Sequence, residues 1–353
     1  MRDNQWHLEF LQVADAHRIS QGEGITVAVI DTGVDPHPDL RNNLLSGTAT
    51  YTGGSGNGRQ DGDPGGHGTA MAGLIAAHGR GANGALGIAP KAKIIPIRDS
   101  ENKSGGDPDE TAKAVEWAIS KRVDIINISS VMSSSSRLRQ AIEAAFKADI
   151  VVVASAGNRP GHILVGFPAA IDGVVAVGAT DHKGNYSDTS VTGKRVVIAA
   201  PGIDIHSTAK RGRYSETSGT SDSAAIVAGA AALVRSKFPD LSAEEVVHRL
   251  TATADDKGAP GRDEEYGYGV VNLVKALTAD VPPLEGDANP SASAAPSSSQ
   301  TQPAANAAPE PEDKSGIGST ILIGVLVALV VLGLVVTLLV VFLVRRRQQP
   351  RRF

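Results

Sequence analysis

The sequence predicts an α/β fold, with a mostly parallel central sheet covered by helices on both faces. Three observations predict it: short β-branched runs bounded by turn residues, segments of helical spacing between them, and the alternation of the two along residues 1–280. ITVAVID (25–31), KIIPIR (93–98), VDIINIS (123–129) and DIVVVASA (149–156) are brief and apolar nearly throughout, as strands buried on both faces must be. GVVAVGAT (173–180) and RVVIAAPG (195–202) add two more. DETAKAVEWAISKR (109–122) and SRLRQAIEAAFKA (136–148) have helical spacing, and a long small-residue helix follows Ser221. DLSAEEVVHRL opens a further helix, with Ser242 and Glu245 spaced as a capping box. In such sheets ligands sit beyond the carboxyl ends of the strands, so the polar residues that close strands become the candidates for chemistry.

The C-terminal part has a different composition. Residues 281–316 are rich in Pro, Ala and Ser with almost no large apolar side chain, which predicts a disordered linker after a single domain over 1–280. Residues 317–344 carry no charge over a length greater than the roughly 20 residues needed to cross a bilayer, and predict one transmembrane helix. Five Arg in the tail at 345–353 face a mostly acidic stretch on the other flank, so the tail is expected in the cytoplasm and the domain outside it. The opening MRDNQWHLEF has no basic-plus-apolar leader, which leaves either a signal segment missing from this chain, the favoured expectation, or a tail-anchored protein with its domain inside. The net charge is −4, and without the five tail Arg the balance is 29 basic against 38 acidic residues; a domain that acidic is a poor nucleic-acid binder. Absence of Cys rules out disulfides and thiol chemistry.

Four polar residues fall where the fold places ligands. Asp31 ends the first strand in VAVIDTGVDPHPDL, where a carboxylate can fix the tautomer of an imidazole or simply form a turn before Gly33. His67 stands among glycines in GGHGTAMAGLIAA at the start of a helix. Asn158 closes another strand in VVVASAGNRPG, and its amide can donate to a developing oxyanion. Ser221 lies in SGTSDSAAIVAGAAALV, and alone it reads as a helix cap sooner than as a nucleophile. Taken together, in that order, they supply orienter, base, oxyanion donor and nucleophile, every part an acyl-transfer site requires.

VAVIDTGVDPHPDL, GGHGTAMAGLIA, ASAGN and SGTSDSAAIVAGAAALV resemble the Asp, His, Asn and Ser blocks of the subtilisin-family serine proteases, over about residues 5–278. The resemblance implies a subtilisin-like fold in which Asp31 orients His67, His67 takes the Ser221 proton, and Asn158 with the Ser221 N–H binds the oxyanion. It also implies substrate contacts at Ser129, Ser130 and Val131 and at Ala156 and Gly157; no cofactor is expected, and no metal is expected although many subtilases bind Ca²⁺. The opening QWHLEFLQVADAHRIS, the closing YGYGVVNLVKALTADVP, the linker, the single span and the Arg tail resemble a mycosin, a membrane-anchored subtilase associated with type VII secretion. That narrower resemblance implies the secretion machinery as partner and exported proteins as peptide substrates.

The pattern departs from the family in three places. Ala225 stands where Pro is usual, a benign change because Ala is a good helix former. Asp222 follows the nucleophile where an uncharged residue is usual, and a carboxylate near an oxyanion would oppose it. Ser130 and Val131 replace Leu and Gly, so Val131 is expected to narrow the primary pocket. The segment NGRQDGDPGG (57–66) lacks the ligand spacing of a calcium loop and reads as a flexible loop. The leading expectation is therefore a membrane-tethered serine endopeptidase, and its rival a weakly active or inactive structural subunit of a secretion complex.

Overall fold

The computed structural model describes residues 1–81, 83–102 and 106–284. Seven parallel strands form the central sheet: β1 (Thr26–Asp31), β2 (Thr48–Ala49), β3 (Lys93–Arg98), β4 (Ile125–Ile128), β5 (Val151–Ser155), β6 (Val175–Thr180) and β7 (Ile198–Pro201). Their order is β2-β3-β1-β4-β5-β6-β7, so the chain reverses its direction of winding at β1. Neighbouring connections leave opposite faces of the sheet at such a point, and a crevice opens beyond the carboxyl end of the strand. The last residue of β1 is Asp31, paired in register with Arg98.

Alternation along β1 divides the core. Val27 and Val29 join a cluster with α3 (His67–Ala76) and α6 (Thr220–Lys237), whereas Ala28 and Ile30 join one with α4 (Pro108–Ser120) and α5 (Ser136–Lys147). All four strand residues are wholly buried, as a two-sided parallel sheet demands. In α6, small apolar side chains surround the helix instead of forming a stripe, and residues Asp222 to Val234 are buried throughout. Small residues also bring α3 close: a Cβ on Gly68 would stand 2.1 Å from the Gly33 carbonyl oxygen, so only glycine lets His67 sit this near the end of β1.

The strands predicted at 93–98, 123–129, 149–156, 173–180 and 195–202 all occur, trimmed by up to three residues at an end. The capping box forms on α7 (Ala243–Ala252), with Glu245 Oε2 accepting from the Ser242 N–H at 2.8 Å. Several elements carried no readable period. The N-terminal helices α1 (Trp6–Phe10) and α2 (Val13–Ala16) are held by side-chain bonds to distant carbonyls, such as Gln5 Nε2 to His206 O at 3.2 Å. The antiparallel hairpin of β8 (Ile205–Ala209) and β9 (Arg213–Thr217) has a polar, half-exposed second strand, and α8 (Leu273–Thr278) is short. Among the described residues no helix is long and apolar enough to cross a membrane; the span expected at 317–344, the tail and nearly all of the linker lie outside the described residues.

Candidate active site

The crevice beyond β1 holds an ion-pair geometry that the fold builds from both sides. His67 is the first residue of α3, and its Nδ1 lies 2.8 Å from Asp31 Oδ1 and 3.0 Å from Oδ2. Both residues are buried, so the carboxylate holds the ring in one orientation and favours the tautomer with its proton on Nδ1. Asp31 Oδ1 also accepts from the Thr32 N–H at 2.7 Å. The segment 57–66 is not the loose loop expected of its glycines. Asp63 Oδ2 accepts from the His67 N–H at 3.0 Å at the start of α3, and Asp61 Oδ2 accepts from the Thr69 N–H at 2.9 Å and Oγ1 at 2.6 Å. Asp61 Oδ1 takes the Thr32 hydroxyl at 2.8 Å, which links this second carboxylate to the Asp31 turn. Burial pushes the Asp61 carboxyl above the usual range. These two acids are engaged in fixing the start of α3 and with it His67; their signal was the Asp-x-Asp spacing just ahead of His67.

Ser221 is the second residue of α6, after Thr220 and an N-cap at Gly219, and its side chain caps nothing. Its Oγ donates to the Ser129 carbonyl at 3.0 Å, while Ser129 Oγ donates to the Ser221 carbonyl at 3.1 Å. This reciprocal pair ties the end of β4 to the start of α6. Asn127 Nδ2 donates to Ser129 Oγ at 3.0 Å and completes the clamp. Asn158 lies three residues past the end of β5 rather than on its last residue. Its Oδ1 accepts from the Thr220 N–H at 2.9 Å and Oγ1 at 3.2 Å, and with the oxygen held this way the amide NH₂ is left as the free donor end. Thr220 Oγ1 also accepts from the Gly157 N–H at 3.1 Å, so one hydroxyl sets both the amide and its supporting turn. Sequence reasoning missed Thr220, although it directly precedes the candidate nucleophile.

Asp31, His67, Ser129, Ser130, Val131, Gly157, Asn158 and Ser221 line one cleft of about 310 Å³. Ala156 does not: its side chain is wholly buried, and its backbone bonds to Val177 O and from the Gly166 N–H. Val131 stands against Gly166, where a Cβ would lie 2.2 Å from Val131 Cγ1. Asp222 is buried, accepts from Thr217 Oγ1 at 2.5 Å through Oδ1, and is not part of the cleft lining. The charge expected to oppose an oxyanion is thus turned toward β9.

The same cleft contains Asp99, which sequence reasoning passed over. Burial, with a further push from Asp31, raises its carboxyl to about 7. The folded state therefore holds a proton between about pH 4 and 7 that the unfolded chain has lost, and stability from this group falls as pH rises through that window. Asp99→Asn is expected to raise Tm above pH 7 by the equivalent of about 4 kcal/mol at most, with the gain vanishing toward pH 4. Thermal melts of both proteins across pH 4–8 check this; a gain independent of pH would contradict it.

A buried Asp–His pair, a serine at a helix N-terminus and an amide donor in one crevice of a parallel sheet define a serine hydrolase of the triad class. The chain belongs to the subtilase family, whose sequence pattern matches residues 22–269; its members are serine endopeptidases with an Asp-His-Ser triad. It is 35% identical over 280 residues to the minor extracellular protease Epr of Bacillus subtilis (strain 168), a match that covers 78% of this chain and 42% of Epr, less than half of that relative's length. Among solved structures, MycP1 with its N-terminal propeptide removed superposes with a TM-score of 0.71 at 31% identity, covering 78% of this chain and 98% of that one. The MycP3 protease from the type VII (ESX-3) secretion system gives 0.68 at 36% identity, covering 78% and 88%. Both neighbours are mycosins, the group that the terminal segments resemble.

Proposed function

We propose that this chain is a membrane-anchored serine endopeptidase that hydrolyses peptide bonds of exported proteins and works beside a type VII secretion machinery. The observation that carries the reading is the Asp31–His67 pair at 2.8 Å in the cleft that also holds Ser221 and Asn158. In this reading the Ser221 proton, donated to Ser129 O at 3.0 Å, passes to His67 Nε2 as substrate enters; catalytic hydrogen bonds commonly tighten only then. Ser221 Oγ attacks the peptide carbonyl, and the Asn158 amide with the Ser221 N–H stabilises the oxyanion at the positive end of α6. His67 then returns the proton to the leaving amine, and water repeats the cycle on the acyl-enzyme. The apolar span at 317–344 and its Arg flank support a membrane anchor with the catalytic domain outside the cytoplasm. The likeness to MycP1 and MycP3 supports the association with secretion.

Val131 pressed against Gly166 supports a pocket for small residues before the scissile bond. Intact cells carrying the full chain, given fluorogenic peptides from outside, should release product. Cleavage after Ala should exceed cleavage after Phe by about tenfold or more, a ratio that Val131→Gly should lower. Equal cleavage after Phe would contradict the pocket assignment. Product that forms only in lysed cells would contradict the topology.

A further inference from the structure

Beside His67 the cleft wall carries a carboxyl that none of the hydrolytic steps uses. Asp99 follows β3, its N–H donates to the Asp31 carbonyl at 3.1 Å, and it lines the cleft together with Ser100, Gly106 and His67. The side chain is only 2% exposed. Thr111 Oγ1 on α4 donates to Asp99 Oδ2 at 2.5 Å. The backbone passes over this group at Gly106, where a Cβ would lie 3.2 Å from Thr111 Oγ1, 3.3 Å from Met132 Cε and 3.5 Å from Asp99 Oδ2. Among the described residues no Lys or Arg pairs with Asp99, although a second buried carboxylate, Asp31, lies against the same strand end.

Asp31 has His67 as its partner, whereas Asp99 has no basic partner and is opposed by the neighbouring carboxylate, and neither packing nor the Thr111 bond requires an acid at this position. An acid in the wall of a substrate cleft is completed by what enters the cleft. An extended peptide lying between the Gly106 segment and Ser129–Val131 alternates its side chains, so one turns toward Val131 and the next toward the Asp99 wall.

We infer that Asp99 is a specificity-determining residue, which receives the cationic side chain of a Lys or Arg located N-terminal to the scissile bond of the substrate. This deepens the protease reading and rests on it. The ammonium or guanidinium donates to the carboxyl while its aliphatic stem lies along Gly106 and Met132. Burial and Asp31 raise the Asp99 carboxyl to about 7, and an arriving cation favours the carboxylate, whose proton leaves to solvent. A substrate Asp or Glu at the same position would set a third acid beside Asp31 and Asp99 and is rejected.

The test uses the full chain and peptides with Ala before the scissile bond, in which Lys, Ala or Glu is placed at each of the three preceding positions in turn. One position is expected to favour Lys over Ala by about tenfold or more in kcat/KM, mainly through KM, with Glu the poorest. Asp99→Asn, an isosteric change that keeps an acceptor for Thr111, is expected to reduce the Lys-to-Ala ratio to near one. A structural loss would lower both substrates together and leave the ratio intact. Cleavage with no preference for Lys at any position, or a preference that survives in Asp99→Asn, overturns the inference and leaves the protease standing. No cleavage of any peptide together with an unreactive Ser221 overturns both.

Discussion

Replacing Ser221 by Ala, or His67 by Ala, is expected to lower kcat by about 10⁶, a magnitude measured on subtilisin itself and carried over through the family. The reason is the shared proton. In the proposed mechanism Ser221 Oγ is a weak nucleophile until His67 removes its hydrogen, and His67 is held in place by Asp31 at 2.8 and 3.0 Å and by the Asp63 bond to its N–H. Removing either member leaves the other without a function, so the double variant should be hardly slower than either single one. Steady-state kinetics on the three variants check this. Losses that multiply would mean that Ser221 and His67 do not act as a unit.

Asn158→Leu is expected to lower kcat by about 10²–10³ with little change in KM, again the magnitude seen in subtilisin for loss of its oxyanion amide. The side chain is oriented for this before substrate arrives, because Thr220 holds its Oδ1 through both N–H and hydroxyl. An oriented donor strengthens its bond only as charge develops on the carbonyl oxygen, so the loss falls on kcat. A variant that raised KM and left kcat unchanged would show that Asn158 binds substrate in its ground state instead.

The sheet was legible because its strands are buried on both faces and read as Val- and Ile-rich runs, and because α4, α5 and α7 have distinct faces or caps. The β8–β9 hairpin was not, since Arg213 to Thr217 stay half exposed and give no apolar alternation. At the site, Asp31, His67, Asn158 and Ser221 stood out because each combines a polar side chain with a strand end, a glycine turn or a helix start. The residues that position them did not. Thr220 acts through its hydroxyl and N–H, which carry no sequence signal; Ser129 was expected as a substrate contact and not as the partner of Ser221; and Asp61 and Asp63 read as part of a flexible loop until their burial was known. Burial also changes the reading of Asp222, whose carboxylate meets Thr217 outside the cleft lining. Asp99 resembled any turn residue after a strand; only the structure brings it beside Asp31.

The most direct test of the central claim is covalent labelling of the full chain with a fluorophosphonate probe, with the modified residue located by mass spectrometry. One label is expected, on Ser221, and it disappears in Ser221→Ala and His67→Ala. A folded chain that stays unlabelled would contradict it, and labelling restored by Asp222→Met would assign the fault to that carboxylate and favour a structural subunit over an active protease.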